Sequence, residues 1–205
     1  MSKYCYLLDA GHGGISPQGK YTTAPAKMWR FKDFTFHEGV FNRLVVAKIA
    51  KKMQEAGLDH LLLAHPFLDT SLNQRTTRAN AEQKNRKCIL FSIHGNASDN
   101  PTASGWEVWT SRGESQSDLI ANYLYQLAEN ELKGVMKMRT DSHIRGRHDR
   151  EANFWMLAKT SMPSVLTENG FFTNEAEARL MLTDDFQEKI AELHFQTALW
   201  CEENL

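Results

Sequence analysis

His12, Glu38, His94 and Glu168 are the residues of this chain whose types and settings could do chemistry together. Two imidazoles and a carboxylate are a sufficient ligand set for a catalytic zinc ion that leaves a fourth position to water. Such an ion lowers the pKa of its water towards about 7 and polarises a carbonyl, so amide hydrolysis becomes feasible at neutral pH. A second carboxylate close by takes the proton of the water and hands it to the leaving nitrogen, and Glu168 is the candidate for that part. Spacing does not single the site out. The three candidate ligands lie 26 and 56 residues apart with no H-E-x-x-H motif, and an ordinary set of surface His and Glu among 8 histidines is the alternative.

The elements that must position these residues can be read in outline. From Tyr4 an apolar run ends in Asp9, and a small-residue turn with glycines follows, which reads as a buried strand whose exit loop presents His12. Residues 15–37 form a long polar and aromatic insertion without a period. Residues 38–56 read as an amphipathic helix with Phe41, Leu44, Val45, Ile49 and Met53 on its apolar face and Arg43, Lys48, Lys51 and Lys52 on its polar one; Gly57 closes it. Leu58–Ala64 is a second strand, and Ser71-Leu-Asn-Gln74 is a capping box opening a helix to about Asn85. Cys88–Ile93 is a third strand ending at His94, and Gly105–Thr110 alternates as a fourth. Residues 117–132 are helical by period, with Leu119, Ile120, Leu124, Leu127 and Ala128. Lys133–Arg150 is irregular and basic, a solvated loop or a groove wall facing an acidic polymer. Asn153–Ala158 and Ser164–Thr167 read as short strands, the second ending at Glu168, and helices over 175–182 and 184–203 close the chain. The expected fold is α/β, one catalytic domain over residues 1–205. Its twisted, mostly parallel or mixed sheet has about six strands, with helices on both faces. Parallel strands would bring His12, His94 and Glu168 to one edge of the sheet.

Composition narrows the partners. With 24 Lys and Arg against 25 Asp and Glu, no global field favours nucleic acid or an anionic membrane. No stretch reaches the roughly 18 apolar residues of a membrane span, and no signal peptide is visible. Cys5, Cys88 and Cys201 are odd in number and far apart, so each reads as a buried thiol rather than half of a disulfide.

Six ordered blocks then carry a resemblance. They are Leu7-Leu-Asp-Ala-Gly-His-Gly-Gly14, Glu38-Gly-Val-Phe-Asn42, Ser71-Leu-Asn-Gln-Arg75 with Ala79-Asn80, Ser92-Ile-His-Gly-Asn-Ala97, Gly105-Trp-Glu-Val108 and Met162–Asn174. Together they resemble the zinc-dependent N-acetylmuramoyl-L-alanine amidases of the amidase-3 type, from about residue 4 to residue 200. The resemblance implies a six-stranded sheet flanked by helices. It also implies hydrolysis of the amide between the lactyl group of N-acetylmuramic acid and the L-alanine of the peptidoglycan stem peptide. By position His12, Glu38 and His94 match the Zn2+ ligands, and Glu168 matches the catalytic glutamate of V-E-x-G-F. The chain departs from the family pattern in Ala10 for a common Pro, Gly95 for a common Ala and Thr167 for a usual Val, none of which removes a ligand. The 15–37 insertion is longer than in many members and is similar to that of compact bacterial or phage-borne versions.

The resemblance implies peptidoglycan or muropeptide as partner, synthesis in the cytoplasm and action on the cell wall, through phage-type release or a leader; a monomer is expected. A peptidoglycan-binding pseudoenzyme and a zinc peptidase acting on another peptidoglycan amide are the alternatives. Around the site, His37 competes weakly with Glu38 as a ligand, and Glu107 supports a ligand or forms a surface ion pair. Arg75 anchors structure more readily than it touches substrate, Asp9 anchors a ligand or caps a loop, and Asn96 and Asn169 bind substrate or hold loops. His60, His65, His143, His148 and His194 have no pattern tying them to the site. No helix between residues 105 and 150 is expected to cover it.

Overall fold

Every residue of Cys5–Ala10 is buried as strand β1, around which the rest of the fold is laid. The computed structural model describes residues 2–25, 27–140 and 147–205. Along the chain follow β2 (Met28–Arg30), β3 (Thr35–His37), α1 (Glu38–Glu55), β4 (His60–Leu62), α2 (Leu72–Asn85), β5 (Cys88–Asn96) and β6 (Trp106–Thr110). Then come α3 (Gln116–Glu131), β7 (Arg150–Glu151), α4 (Trp155–Ala158), β8 (Ser164–Phe171), α5 (Glu175–Met181) and α6 (Asp184–Asn204). Six strands form one mixed sheet in the order β4-β1-β5-β8-β6-β7, and β2 pairs with β3 as a separate hairpin. Strands β4, β1, β5 and β8 run parallel, and β6 runs antiparallel to β8.

This topology follows from two crossovers in opposite directions. The chain leaves β1 through α1 to β4 on one side, then returns through α2 to β5 on the other. Right-handed crossovers of opposite direction put their helices on opposite faces. Alternation within the strands fills both sides. Tyr6, Leu8, Ala10, Ile89, Phe91 and Ile93 pack with residues of α1, α3 and α6, whereas Cys5, Leu7, Cys88 and Leu90 pack with Ala79 of α2 and Met156 of α4. The direction reverses between β1 and β5, and the crevice at the carboxyl ends of strands beside such a switch is where open α/β sheets bind ligands.

Several local readings hold. Ser71 and Gln74 form a reciprocal capping box on α2. After α1, Gly57 takes a φ of 71° and Leu58 N donates to Met53 O, the left-handed C-terminal closure that glycine favours. All three cysteines are buried free thiols.

Others are corrected. Asn153–Ala158 is not a strand: Trp155–Ala158 forms one helical turn, because a short continuous apolar run has no period to separate the two states. Strand β8 does not stop at Thr167 but continues to Phe171, since its polar residues find partners inside the sheet. His94 likewise lies inside β5 rather than past its end. Leu44 and Leu119, both expected on apolar faces, are exposed. The 15–37 insertion contains the β2–β3 hairpin and an Ile15–Tyr21 bridge. The basic stretch 133–150 is neither a solvated loop nor a groove wall throughout. Arg139 and Arg150 pair with buried Glu107, and Arg147 pairs with Asp118, Asp149 and Glu151. Arg145 and His143 lie outside the described residues.

His194 belongs to this scaffold. It is wholly buried on α6, its Nδ1 2.7 Å from Ile190 O and its Nε2 3.2 Å from Thr167 Oγ1. Thr167, where the family pattern has Val, thus supplies the ring's second hydrogen bond. Burial disfavours the imidazolium and the bond to Ile190 O only partly offsets this, so the pKa falls to about 4. The unfolded chain therefore takes up a proton between about pH 6.5 and 4 that the folded chain refuses, and stability drops as pH falls through that window. By pH 4 this single group costs on the order of 3 kcal/mol. Urea unfolding at pH 7 and pH 4 is expected to show a smaller acid-induced loss in His194→Gln than in the parent, and an equal loss would contradict this role.

Candidate metal centre

Strand β1 ends at Ala10, and the chain keeps pairing for one more residue through Gly11 N to Ile93 O. His12 then takes a φ of 62°, in the left-handed region that non-glycine residues enter only when their surroundings hold them. Its carbonyl accepts from Arg75 Nη2 and from Arg43 Nη2, each at 2.8 Å. Gly11 is required by the neighbouring strand: a Cβ there would lie 2.1 Å from the His94 ring.

Glu38 opens α1, where the unpaired N–H groups of the helix terminus favour a negative charge. The insertion supports that terminus, with Lys27 O accepting from Glu38 N and Tyr21 Oη from Gly39 N. Gly39 allows the helix to approach the His12 turn, since a Cβ would stand 1.9 Å from Gly13 O.

His94 comes from the middle of β5, in register with Glu168 of β8. Between these residues and the next matched pair, Asn96 and Phe171, β8 holds one extra residue; Gly170 absorbs it with a φ of 111°. Bulges of this kind re-aim side chains beside functional sites.

The structure brings His12, Glu38 and His94 into one group. Glu38 Oε2 lies 3.2 Å from His12 Nε2, and Oε1 lies 3.0 Å from His94 Nδ1. One ligand atom from each residue falls within 4.8 Å of the others. The two imidazoles meet edge to face with centroids 5.2 Å apart. His12 remains about a quarter exposed while Glu38 is buried, so the group is open on one side only. Asn42 Nδ2 donates to Glu38 Oε1 and Gly11 O, joining helix and strand exit. Burial alone would raise the Glu38 carboxyl, but hydrogen bonds and charge from both imidazoles pull it down to about 2. Burial disfavours the His94 imidazolium, yet Glu38 outweighs this and moves its pKa up.

Glu168 stands outside the group and beside it. Its Oε2 is buried without a hydrogen-bond partner. Burial first, then the negative charges of Glu38 and Glu107 against the positive ones of His94 and Lys27, raise its pKa to about 8. A buried, orphaned carboxyl oxygen next to three ligand-type side chains is the arrangement a proton-transferring carboxylate needs.

A family model described as N-acetylmuramoyl-L-alanine amidase matches residues 7–197. The chain belongs to this amidase family. Among relatives, an endolysin of Bacillus phage SPP1 is 31% identical over 199 residues, covering 95% of this chain and 64% of that protein. The N-acetylmuramoyl-L-alanine amidase AmiA of Salmonella typhimurium is 28% identical, covering 93% of this chain and 73% of its own length. The crystal structure of an N-acetylmuramoyl-L-alanine amidase from Clostridium difficile 630 superposes with a TM-score of 0.78 at 24% identity, over 100% of this chain and 99% of that one. The mixed sheet flanked by helices is thus the fold of solved amidases.

The remaining candidates of this amidase fall into place. His37 does not join the group; it lies edge-on to Tyr21. Glu107 touches no ligand. It accepts from Asn96, Trp109, Arg139 and Arg150, and it faces Glu168 across the β6–β8 pair. Asn169 holds the strands together, donating to His94 O and accepting from Trp106 Nε1. Arg75 is buried and anchors the His12 turn, and Asp9 anchors Arg75 rather than a ligand. Asp118, Asp149 and Glu151 also lie close together, but Arg147 Nη2 already pairs with all three. Among the described residues of 105–150 the one helix is α3, on the opposite face of the sheet from α2 and α4. Arg43 escapes sequence reading, because an arginine on the polar face of a helix gives no sign that it will turn towards carbonyl groups.

Proposed function

We propose that this amidase is zinc-dependent and cleaves the amide between the lactyl group of N-acetylmuramic acid and L-alanine of the peptidoglycan stem peptide. The observation that carries the reading is the group of His12, Glu38 and His94 donors within 4.8 Å, beside a buried Glu168 oxygen that has no partner. The donor set fits a zinc ion: two imidazole nitrogens and one carboxylate, with a solvent-facing side for a fourth ligand. A bound zinc ion supplies Lewis acidity that eases deprotonation of water and polarises the scissile carbonyl.

The protein's own residues do the rest. His12, Glu38 and His94 would hold the ion. Glu168 accepts the proton of the attacking water as the oxygen–carbon bond forms. It then returns that proton to the alanine nitrogen as the carbon–nitrogen bond breaks, leaving a lactyl carboxylic acid and a free amine. Without metal its raised pKa keeps Glu168 protonated; the positive charge of a bound zinc ion would favour the carboxylate form, which suits it to take that proton. Two grooves are available to substrate, the first of them lined in part by His12 and His94. The first, of about 420 Å³, is lined by residues including Thr22, Asp69 and Ser71; the other, of about 500 Å³, by residues including Lys27, Trp29, Ser98 and Thr173.

Digestion of purified peptidoglycan followed by mass analysis tests the reading. Stem peptides with a free L-alanine amine should appear, vanish when a chelator removes the metal and return with added zinc. Cuts at a peptide crosslink would favour a zinc peptidase acting on another amide. Binding of muropeptide without release of stem peptide would point to a non-catalytic module.

A further inference from the structure

Arg43 lies on the first turns of α1, where the amphipathic pattern assigns it to solvent. Instead its guanidinium is held by backbone carbonyl groups from separate segments. Nη2 donates to His12 O at 2.8 Å, Nη1 to Gly39 O at 2.8 Å, and Nε to Pro66 O at 2.9 Å. His65 O and Leu68 O complete the set. Among the described residues no carboxylate forms an ion pair with it. Its stem runs over Gly14, where a Cβ would come within 3.1 Å of Cδ and Nε.

Two of these contacts bear on the metal centre. His12 O belongs to the turn that presents the first candidate ligand in its left-handed conformation. Gly39 O belongs to the residue after Glu38, in the helical turn that presents the second. One planar fork therefore ties the backbone of two ligands 26 residues apart in the chain. An ammonium group cannot do this: Lys has three donors at one point, whereas the guanidinium spreads five in a fixed plane. Arg75 also reaches His12 O, but its other partners are Asp9, Asp69, Ala10 O and Thr70 O, none of them on α1. Arg43 is the residue that couples the two ligand-bearing backbones directly.

We infer that Arg43 is a positioning residue for metal binding, which sets the His12 turn and the Glu38 turn at their mutual distance before an ion arrives. The inference rests on the zinc reading of the His12, Glu38 and His94 group. Contacts that orient metal ligands typically contribute 10–100-fold to metal affinity. Arg43→Met and Arg43→Lys are accordingly expected to weaken zinc binding by about tenfold or more, the Lys variant no better than midway to the parent.

Arg78 provides the comparison. It too ties a helix to backbone carbonyl groups, donating to Leu63 O at 2.7 Å and Leu62 O at 3.1 Å, but it reaches neither ligand turn. Zinc affinity is measured by competition with a chromogenic chelator, and the thermal midpoint of the metal-free protein is measured in parallel. Arg43 variants should lose zinc affinity, while Arg78→Met should lose thermal stability with the zinc affinity of the parent. If Arg43→Met and Arg43→Lys bind zinc as tightly as the parent, or if Arg78→Met weakens zinc equally, the positioning role is overturned. If Arg43→Met does not fold, Arg43→Lys and Arg78→Met decide the matter. A parent protein that binds no zinc would instead overturn the metal reading itself.

Discussion

Glu168→Gln is expected to keep its zinc and its fold and to lose about 10²–10⁴-fold in kcat on peptidoglycan, the range a positioned general acid–base contributes. Glutamine matches glutamate in shape, and Glu168 lies outside the three-residue ligand group, so metal content should not change. Glu38→Gln should behave oppositely. It removes the charge that both imidazoles face, so metal content falls first and activity with it. Metal analysis beside steady-state kinetics separates the two glutamates, and a zinc-free Glu168→Gln would move that residue into the ligand set. A stability effect accompanies the loss of turnover. In the metal-free protein burial lifts the Glu168 carboxyl to about 8, well above its value in the unfolded chain. The native state then binds its proton more tightly, so its contribution is present at acid pH and is lost as pH rises through about 8. Glu168→Gln cannot ionise, so metal-free protein carrying it should gain stability over the parent at pH 8–9 relative to pH 5. Such a gain at the expense of turnover is a familiar sign of a residue kept for chemistry.

The candidate ligand residues are more legible in sequence than the parts that hold them. His12 and His94 follow apolar runs bounded by glycine, and a run of that kind carries its own strand signal. Glu168 was legible as a residue but not as a place. Glu-Asn-Gly reads as a loop by composition, yet Glu168 sits opposite His94 on one side and Glu107 on the other, inside the sheet. Polar residues mark loops only when their partners are water, and here the partners are strands distant in sequence. The same reasoning covers the inward-turned arginines. Arg139, Arg147 and Arg150 read as a basic run because two of the buried acids that receive them, Glu107 and Asp118, lie far upstream, and the third, Asp149, is a lone acid inside the run. Helix α4 was lost for another reason: four apolar residues carry too little period to tell a turn of helix from a strand.

Arg75→Met is expected to cause the largest loss of stability of any single change discussed, about 3–5 kcal/mol, the usual result of removing one member of a buried ion pair. Arg75 is 2% exposed and its partner Asp9 is 1% exposed. Arg75 Nη1 lies 2.6 Å from Asp9 Oδ1, and Ser92 Oγ donates to the other carboxylate oxygen at 2.8 Å. Without the guanidinium the carboxylate of Asp9 stays in the sheet with one hydroxyl, and the carbonyls of Ala10, His12 and Thr70 lose a donor as well. For a chain of this length such a loss lowers the thermal midpoint by roughly 10 °C or more. Arg75→Lys restores charge but not the fork, and should recover only part of it. The decisive comparison is the double variant Asp9→Asn with Arg75→Met. If the penalty is chiefly an uncompensated buried charge, neutralising Asp9 makes the double variant more stable than Arg75→Met alone. If the penalty lies chiefly in the orphaned carbonyl groups, the double variant stays as unstable as the single one. The first outcome would make Asp9 a counter-charge for Arg75, and the second would make the pair secondary to the anchoring of the His12 turn.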